Sequence, residues 1–92
     1  MITAIVFVKA DVSRIPEVAE GIAAVRGVTE VYSVTGQIDL IAMVRVTDHE
    51  DVARVVADSI NKVSGVMETE THIAFRTYSR HDLEAAFSLG LD

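Results

Sequence analysis

VYSVTGQIDLIAMVRV, residues 31–46, carries alternating apolar positions on both sides of Thr35-Gly36-Gln37. Alternation on a two-residue period marks strands, and a glycine between two such runs marks a chain reversal. The stretch is therefore predicted to form a β-hairpin, with strands over Val28 to Thr35 and Ile38 to Thr47 and a two-residue turn at Gly36-Gln37.

Working outward, Thr3 to Lys9 is apolar on both parities, which predicts a strand covered on both faces. Ser13 is placed to cap a helix, and Pro16 is tolerated in its first turn, where amides lack intrahelical acceptors. Ile15, Val18, Ala19, Ile22 and Val25 recur at helical spacing, and Gly27 is expected to stop that helix. Asp48 opens a second helix with the stripe Val52, Val55, Val56, Ile60 and Val63, ended by Gly65. A long last strand follows from Val66 to Tyr78. Ser79 with Asp82 resembles a capping box, and Leu83, Ala86 and Phe87 predict a short C-terminal helix ending at Gly90. These readings divide the chain into a domain over 1–78 and a helical extension over 79–92.

An internal repeat unifies the pattern. A shift of 38 positions lays Val18 on Val56, Ile22 on Ile60, Val25 on Val63, Gly27 on Gly65, Val28 on Val66 and Glu30 on Glu68. Two tandem βαβ units of matching length predict an α+β, ferredoxin-like βαββαβ fold, a four-stranded antiparallel sheet with both helices on one face. If Ala4, Val6, Val8, Leu40, Ala42, Val44 and Val46 meet the helices, the other face carries Ile5, Phe7, Val31, Ile41, Met43, Ile73 and Phe75. So continuous an apolar face predicts an interface, and sheet-on-sheet packing of two copies would close it as a dimeric α/β barrel. The alternative is that Leu83 and Phe87 fold back over the same sheet.

Composition narrows the function. The 92 residues suit one small domain, 50% apolar and 24% charged, with a net charge of -6 from 14 acidic and 8 basic residues. The basic residues are not clustered on any one predicted element, so a phosphate-backbone footprint is missing and direct nucleic-acid binding is not expected. The N-terminus lacks a basic region ahead of an apolar run, and no apolar stretch is long enough to span a bilayer, which points to the cytoplasm. There is no cysteine, and His49, His72 and His81 show no metal-ligand spacing, so neither a cofactor nor a metal is expected. Glu68, Glu70 and His72 alternate on one strand face, which reads as a polar face near a sheet edge rather than acid–base machinery.

Val28, Val31, Tyr32, Val34, Thr35, Gly36 and Asp39 fit the motif V-x-x-V-Y-x-V-T-G-x-x-D, and Gly65, Val66, Thr69 and Thr71 fit G-V-x-x-T-x-T. In both, the chain resembles the effector-binding (RAM) domain of the Lrp/AsnC family of prokaryotic regulators. With Met1 only two residues before the first strand, the resemblance is to a stand-alone form without the family's helix-turn-helix domain. It implies dimers paired through their sheets, rings of typically four dimers, and small amino acids bound between dimers. The function expected is then a cytoplasmic amino-acid-binding regulator that modulates transcription by associating with full-length Lrp/AsnC regulators.

Each candidate site residue has two readings. Gly36 supplies positive φ in a turn, or lets a ligand approach the backbone; Asp39 accepts turn amides, or by resemblance pairs with a ligand ammonium. Thr69 and Thr71 reflect strand propensity, or by resemblance offer hydroxyls to a ligand on a neighbouring subunit. Tyr32 packs across strands or walls the cleft, with Thr35 and Gln37 completing the loop. Gln37 replaces the aromatic or acidic residues frequent at the tip, so the ligand stays open. Two other functions compete: a small dimeric α+β barrel enzyme of monooxygenase or isomerase type, and a purely structural oligomerisation module. The enzyme would need polar groups between sheet and helices, where the strand positions are aliphatic.

Overall fold

The structure is a computed structural model and describes residues 1–80. Four strands, β1 (Ile2–Ala10), β2 (Val28–Ser33), β3 (Leu40–Val46) and β4 (Val66–Ile73), form one antiparallel sheet in the order β2-β3-β1-β4. Helices α1 (Ile15–Ala23) and α2 (His49–Asp58) complete the βαββαβ order. The ferredoxin-like plan read from the repeat is the one found. The predicted helix through Leu83, Ala86 and Phe87 lies outside the described residues.

Between sheet and helices the core is wholly aliphatic. Ala4, Val6 and Val8 of β1 and Leu40, Ala42 and Val44 of β3 are fully buried against Val18 and Ile22 of α1 and Val52 and Val55 of α2. Ile22 and Ile60 are also fully buried, each worth about 2 kcal/mol of apolar burial.

The 38-residue repeat extends to individual hydrogen bonds. Val25 N donates to Ile22 O and Val28 N to Val25 O; Val63 N donates to Ile60 O and Val66 N to Val63 O, all at 3.0–3.1 Å. Gly27 (φ 102°) and Gly65 (φ 98°) make the same left-handed bend into a strand. Each strand then carries a bulge, Thr29 opposite the Val44–Met43 step and Met67 opposite Ala10–Lys9, again 38 positions apart. Both helices end before those glycines, α1 at Ala23 and α2 at Asp58, and a short 3-10 turn at Ile60–Lys62 continues the second.

Several local expectations change. Asp11, not Ser13, organises the approach to α1: its Oδ1 accepts from Ser13 N at 3.0 Å and Ser13 Oγ at 2.7 Å. Asp48 holds the N-cap position of α2 but makes no side-chain cap bond. β4 ends at Ile73, short of Tyr78, because its partner β1 begins at Ile2; the last tie is Ala74 N to Thr3 O at 2.9 Å.

The register also corrects the face count. Val31 pairs with Ala42 and Ile73 with Ala4, so both point to the helix side, not to the open face. The bulge at Thr29 reverses the parity assumed for Val31, which packs against the core. Phe75 lies beyond the sheet and is 99% exposed. The open face is centred on Ile5, Phe7, Ile41 and Met43, with Tyr32 beside them opposite Ile41. Its β4 edge is polar: Glu68, Glu70 and His72 stand opposite Lys9, Phe7 and Ile5.

Candidate ligand cleft

The hairpin connection is a six-residue loop, Val34 to Asp39, rather than a two-residue turn. Val34 N donates to Asp39 O at 3.1 Å and closes the loop at its base. At the tip Gly36 has φ 111°, a conformation unfavourable to any residue with a Cβ, and nothing lies within 4 Å of where a Cβ would stand. Thr35, Gly36 and Gln37 are exposed at this tip.

Asp39 fastens the loop to β1. Its N–H donates to Val8 O at 2.9 Å, and its Oδ2 accepts from Ala10 N at 2.9 Å. The carboxylate thus stands in for the backbone carbonyl that would extend the β3–β1 ladder, at the point where the β1–β4 register shifts. Neither sequence reading of Asp39 anticipated this bond, because its partner lies 29 residues away.

Lashed to β1 in this way, the loop leans toward β4. Ile38 joins Phe7, Lys9, Glu68, Thr69 and Glu70 around a depression of about 390 Å³. One ammonium and two carboxylates ring an apolar floor of Phe7 and Ile38, a layout complementary to a zwitterion with an apolar side chain. Of the seven candidate ligand residues only Thr69 lines it. Lys9, Glu68 and Glu70 were missed as site residues; their shared strand parity was the available signal, and their pairing became visible only with the register.

The remaining candidates are spread apart. Tyr32 is half exposed on edge strand β2, while Thr71 sits on β4, the opposite edge. Three strand spacings, about 14 Å, separate these edges. Tyr32 also faces the open side and Thr71 the helix side, so one small ligand cannot touch both within a single chain. The Thr69 hydroxyl already donates to Asn61 Oδ1 at 2.6 Å. A hydrogen bond from the Tyr32 hydroxyl to Glu30 holds its pKa above the ordinary tyrosine value, with desolvation and the Glu30 charge acting the same way. His72 packs edge-on against Phe7, with ring centroids 5.1 Å apart, and its Nε2 lies 3.0 Å from Glu70 Oε2. Among the described residues no cluster of three His, Asp or Glu side chains could hold a metal ion. No helix among them is long and apolar enough to cross a membrane.

Comparison with known proteins places this fold. The family model of the Lrp/AsnC ligand binding domain matches residues 3–83. An uncharacterised HTH-type transcriptional regulator of Pyrococcus horikoshii is 43% identical over 61 residues, 66% of this chain and 41% of that protein. The chain spans about half the length, or less, of the curated relatives it matches. A solved protein of Thermus thermophilus is 46% identical with a TM-score of 0.82, covering 87% of this chain and 100% of that one. A feast or famine regulatory protein from M. tuberculosis, solved in complex with L-methionine, shares the fold at 23% identity and a TM-score of 0.72, covering 87% of this chain and 54% of that chain.

Proposed function

We propose that the chain, which belongs to the Lrp/AsnC ligand-binding domain family, is an amino-acid-sensing module that binds its effector where copies of the chain meet. The observation that carries this reading is the depression ringed by Lys9, Glu68 and Glu70 under the loop that Asp39 anchors. Lys9 suits the effector carboxylate, and Glu68 or Glu70 its ammonium. Asp39 has a second oxygen for the same ammonium while Oδ2 holds Ala10. Gly36 leaves the loop backbone open to approach from a neighbouring copy, and Thr35, Gln37, Tyr32 and Thr71 become contacts across that junction. The M. tuberculosis relative in complex with L-methionine supports an amino acid as the ligand class.

Assembly follows from the open face. Ile5, Phe7, Ile41 and Met43 form the centre of a sheet-to-sheet dimer, with the polar β4 edge as its rim. Dimers then associate further, and effector binding biases that association. In the cytoplasm the module acts on transcription through full-length family regulators, as a binding protein rather than an enzyme. The aliphatic core between sheet and helices supports this, since among the described residues no polar side chain is buried there.

A thermal-shift screen of the twenty amino acids, paired with native mass spectrometry, tests the reading. Mass action stabilises a binder, so a subset of amino acids should raise Tm and shift the oligomer beyond a dimer. No shift with any of them, in a plain dimer, would sink the proposal. Lys9→Gln should weaken the response without changing the unliganded Tm by more than about 2–4 °C, as befits an exposed side chain.

A further inference from the structure

A groove wider than the depression under the hairpin loop lies at the opposite end of β3. It has a volume of about 630 Å³ and is lined by Arg26, Arg45 and Arg54. These residues come from the α1–β2 connection, the end of β3 and the middle of α2. Packing alone brings them together: α2 sits on Gly27, where a Cβ would stand 2.8 Å from Val55 Cγ2, and Arg45 N donates to Gly27 O at 2.9 Å.

Three of the chain's eight basic residues thus share one groove in a protein of net charge -6. The one carboxylate in the lining, Asp51, is taken by Arg54 at 2.6 Å. The guanidinium groups of Arg26 and Arg45 have neither a hydrogen bond nor an ion pair within the described residues. Like charges lining one groove repel one another, and in a scaffold that gains nothing from them they are a cost. The internal repeat indicates that the scaffold gains nothing: the positions 38 away from Arg26, Arg45 and Arg54 are Ser64, Phe7 and Pro16. The same βαβ framework therefore builds without arginine at any of the three.

We propose that this groove is a binding site for a small phosphate-bearing molecule, separate from the amino-acid cleft. Guanidinium groups present forked donors that match phosphate oxygens, and two or three of them neutralise a multivalent anion. Thr47 and Ser59 in the lining add hydroxyl donors. The groove's volume falls within the range of small-ligand sites, and its arginine lining fits an anion better than an apolar ligand.

Isothermal titration with pyrophosphate at low salt, followed by amide NMR, tests the site. Saturable binding is expected, with shifts centred on Gly27, Thr47 and Ser59. Arg26→Gln and Arg45→Gln should each weaken binding about tenfold, the loss of one charge-assisted contact, while Arg76→Gln, outside the groove, should leave it unchanged. Asp51→Asn should tighten binding about threefold by releasing Arg54. ADP binding as well as pyrophosphate would assign the phosphates as the recognised part, and tighter ADP binding would identify a nucleotide; adenosine should not bind. The proposal is overturned if pyrophosphate does not saturate, if Arg76→Gln weakens it as much as Arg26→Gln, or if citrate binds as tightly. Each reading is independent of the amino-acid screen, so either can fail alone.

Discussion

Replacing Asp39 separates its structural role from its proposed ligand role. The carboxylate accepts from Ala10 N at 2.9 Å, and Ala10 is only 3% exposed, so water cannot readily take its place. Asp39→Ala leaves that N–H unsatisfied, at a cost of about 1–3 kcal/mol. In a domain of this size each kcal/mol lowers Tm by about 4–8 °C, so a fall of about 4–24 °C is expected. Asp39→Asn keeps a carbonyl oxygen at the same place and exchanges a charge-assisted bond for a neutral one, a loss of about 1 kcal/mol or less. Differential scanning fluorimetry and amide exchange at Ala10 read both effects: the Ala variant should lose protection there, the Asn variant should retain it. An Ala variant with wild-type Tm and wild-type exchange at Ala10 would refute the structural assignment. If the Asn variant stays folded and loses its thermal response to amino acids, the charge itself serves the ligand; an undiminished response would remove Asp39 from the cleft.

The two faces of the sheet predict opposite outcomes for neighbouring valine and methionine positions. Met43→Lys should dissociate the oligomer in light-scattering chromatography while the monomer stays folded. Val31→Ala should leave the oligomer intact and cost about 1–2 kcal/mol in urea unfolding, because its side chain packs toward the helices. Gly36→Ala should cost about 1–2 kcal/mol for its positive φ alone. Gly65→Ala should cost more, since its Cβ would also stand 2.5 Å from Val18 Cγ2, and urea midpoints will rank the two variants. Asp11 should titrate below its ordinary value of 3.8, held there chiefly by the side-chain bond from Ser13, with the Ser13 amide and Arg14 assisting. Its folded pKa lies below the unfolded one, so its contribution is complete above that unfolded value and is lost as pH falls through the folded pKa. Ser13→Ala should move the titration upward in carbon-detected NMR and flatten that acid dependence.

The fold was legible because its signals are local and repeated. Each βαβ half has the same apolar spacing and a glycine at the same place, and the matched pairs at Gly27 and Gly65 form the same hydrogen bonds. The faces of the sheet were less legible. A single extra residue, Thr29, reverses strand parity, and nothing in its chemistry announces a bulge. Ile73 misled for a different reason: on an edge strand an apolar residue can face the helix side and still be 43% exposed, so hydrophobicity alone does not tell the two faces apart.

The site divides along the same line. Gly36 was readable because positive φ is a property of one residue, whereas the Asp39–Ala10 bond, the charged ring around the depression and the arginine groove all join distant segments. Lys9 and Glu68 face each other only once β1 and β4 are in register, and Arg26, Arg45 and Arg54 come to line one groove only once α2 settles on Gly27. Scattered charge in a sequence therefore argues against a stripe along one element but not against a cluster in space. For this chain the distinction decides which partners are reasonable. No single element carries enough positive charge to follow a nucleic-acid backbone, yet three elements together supply what one small anion requires.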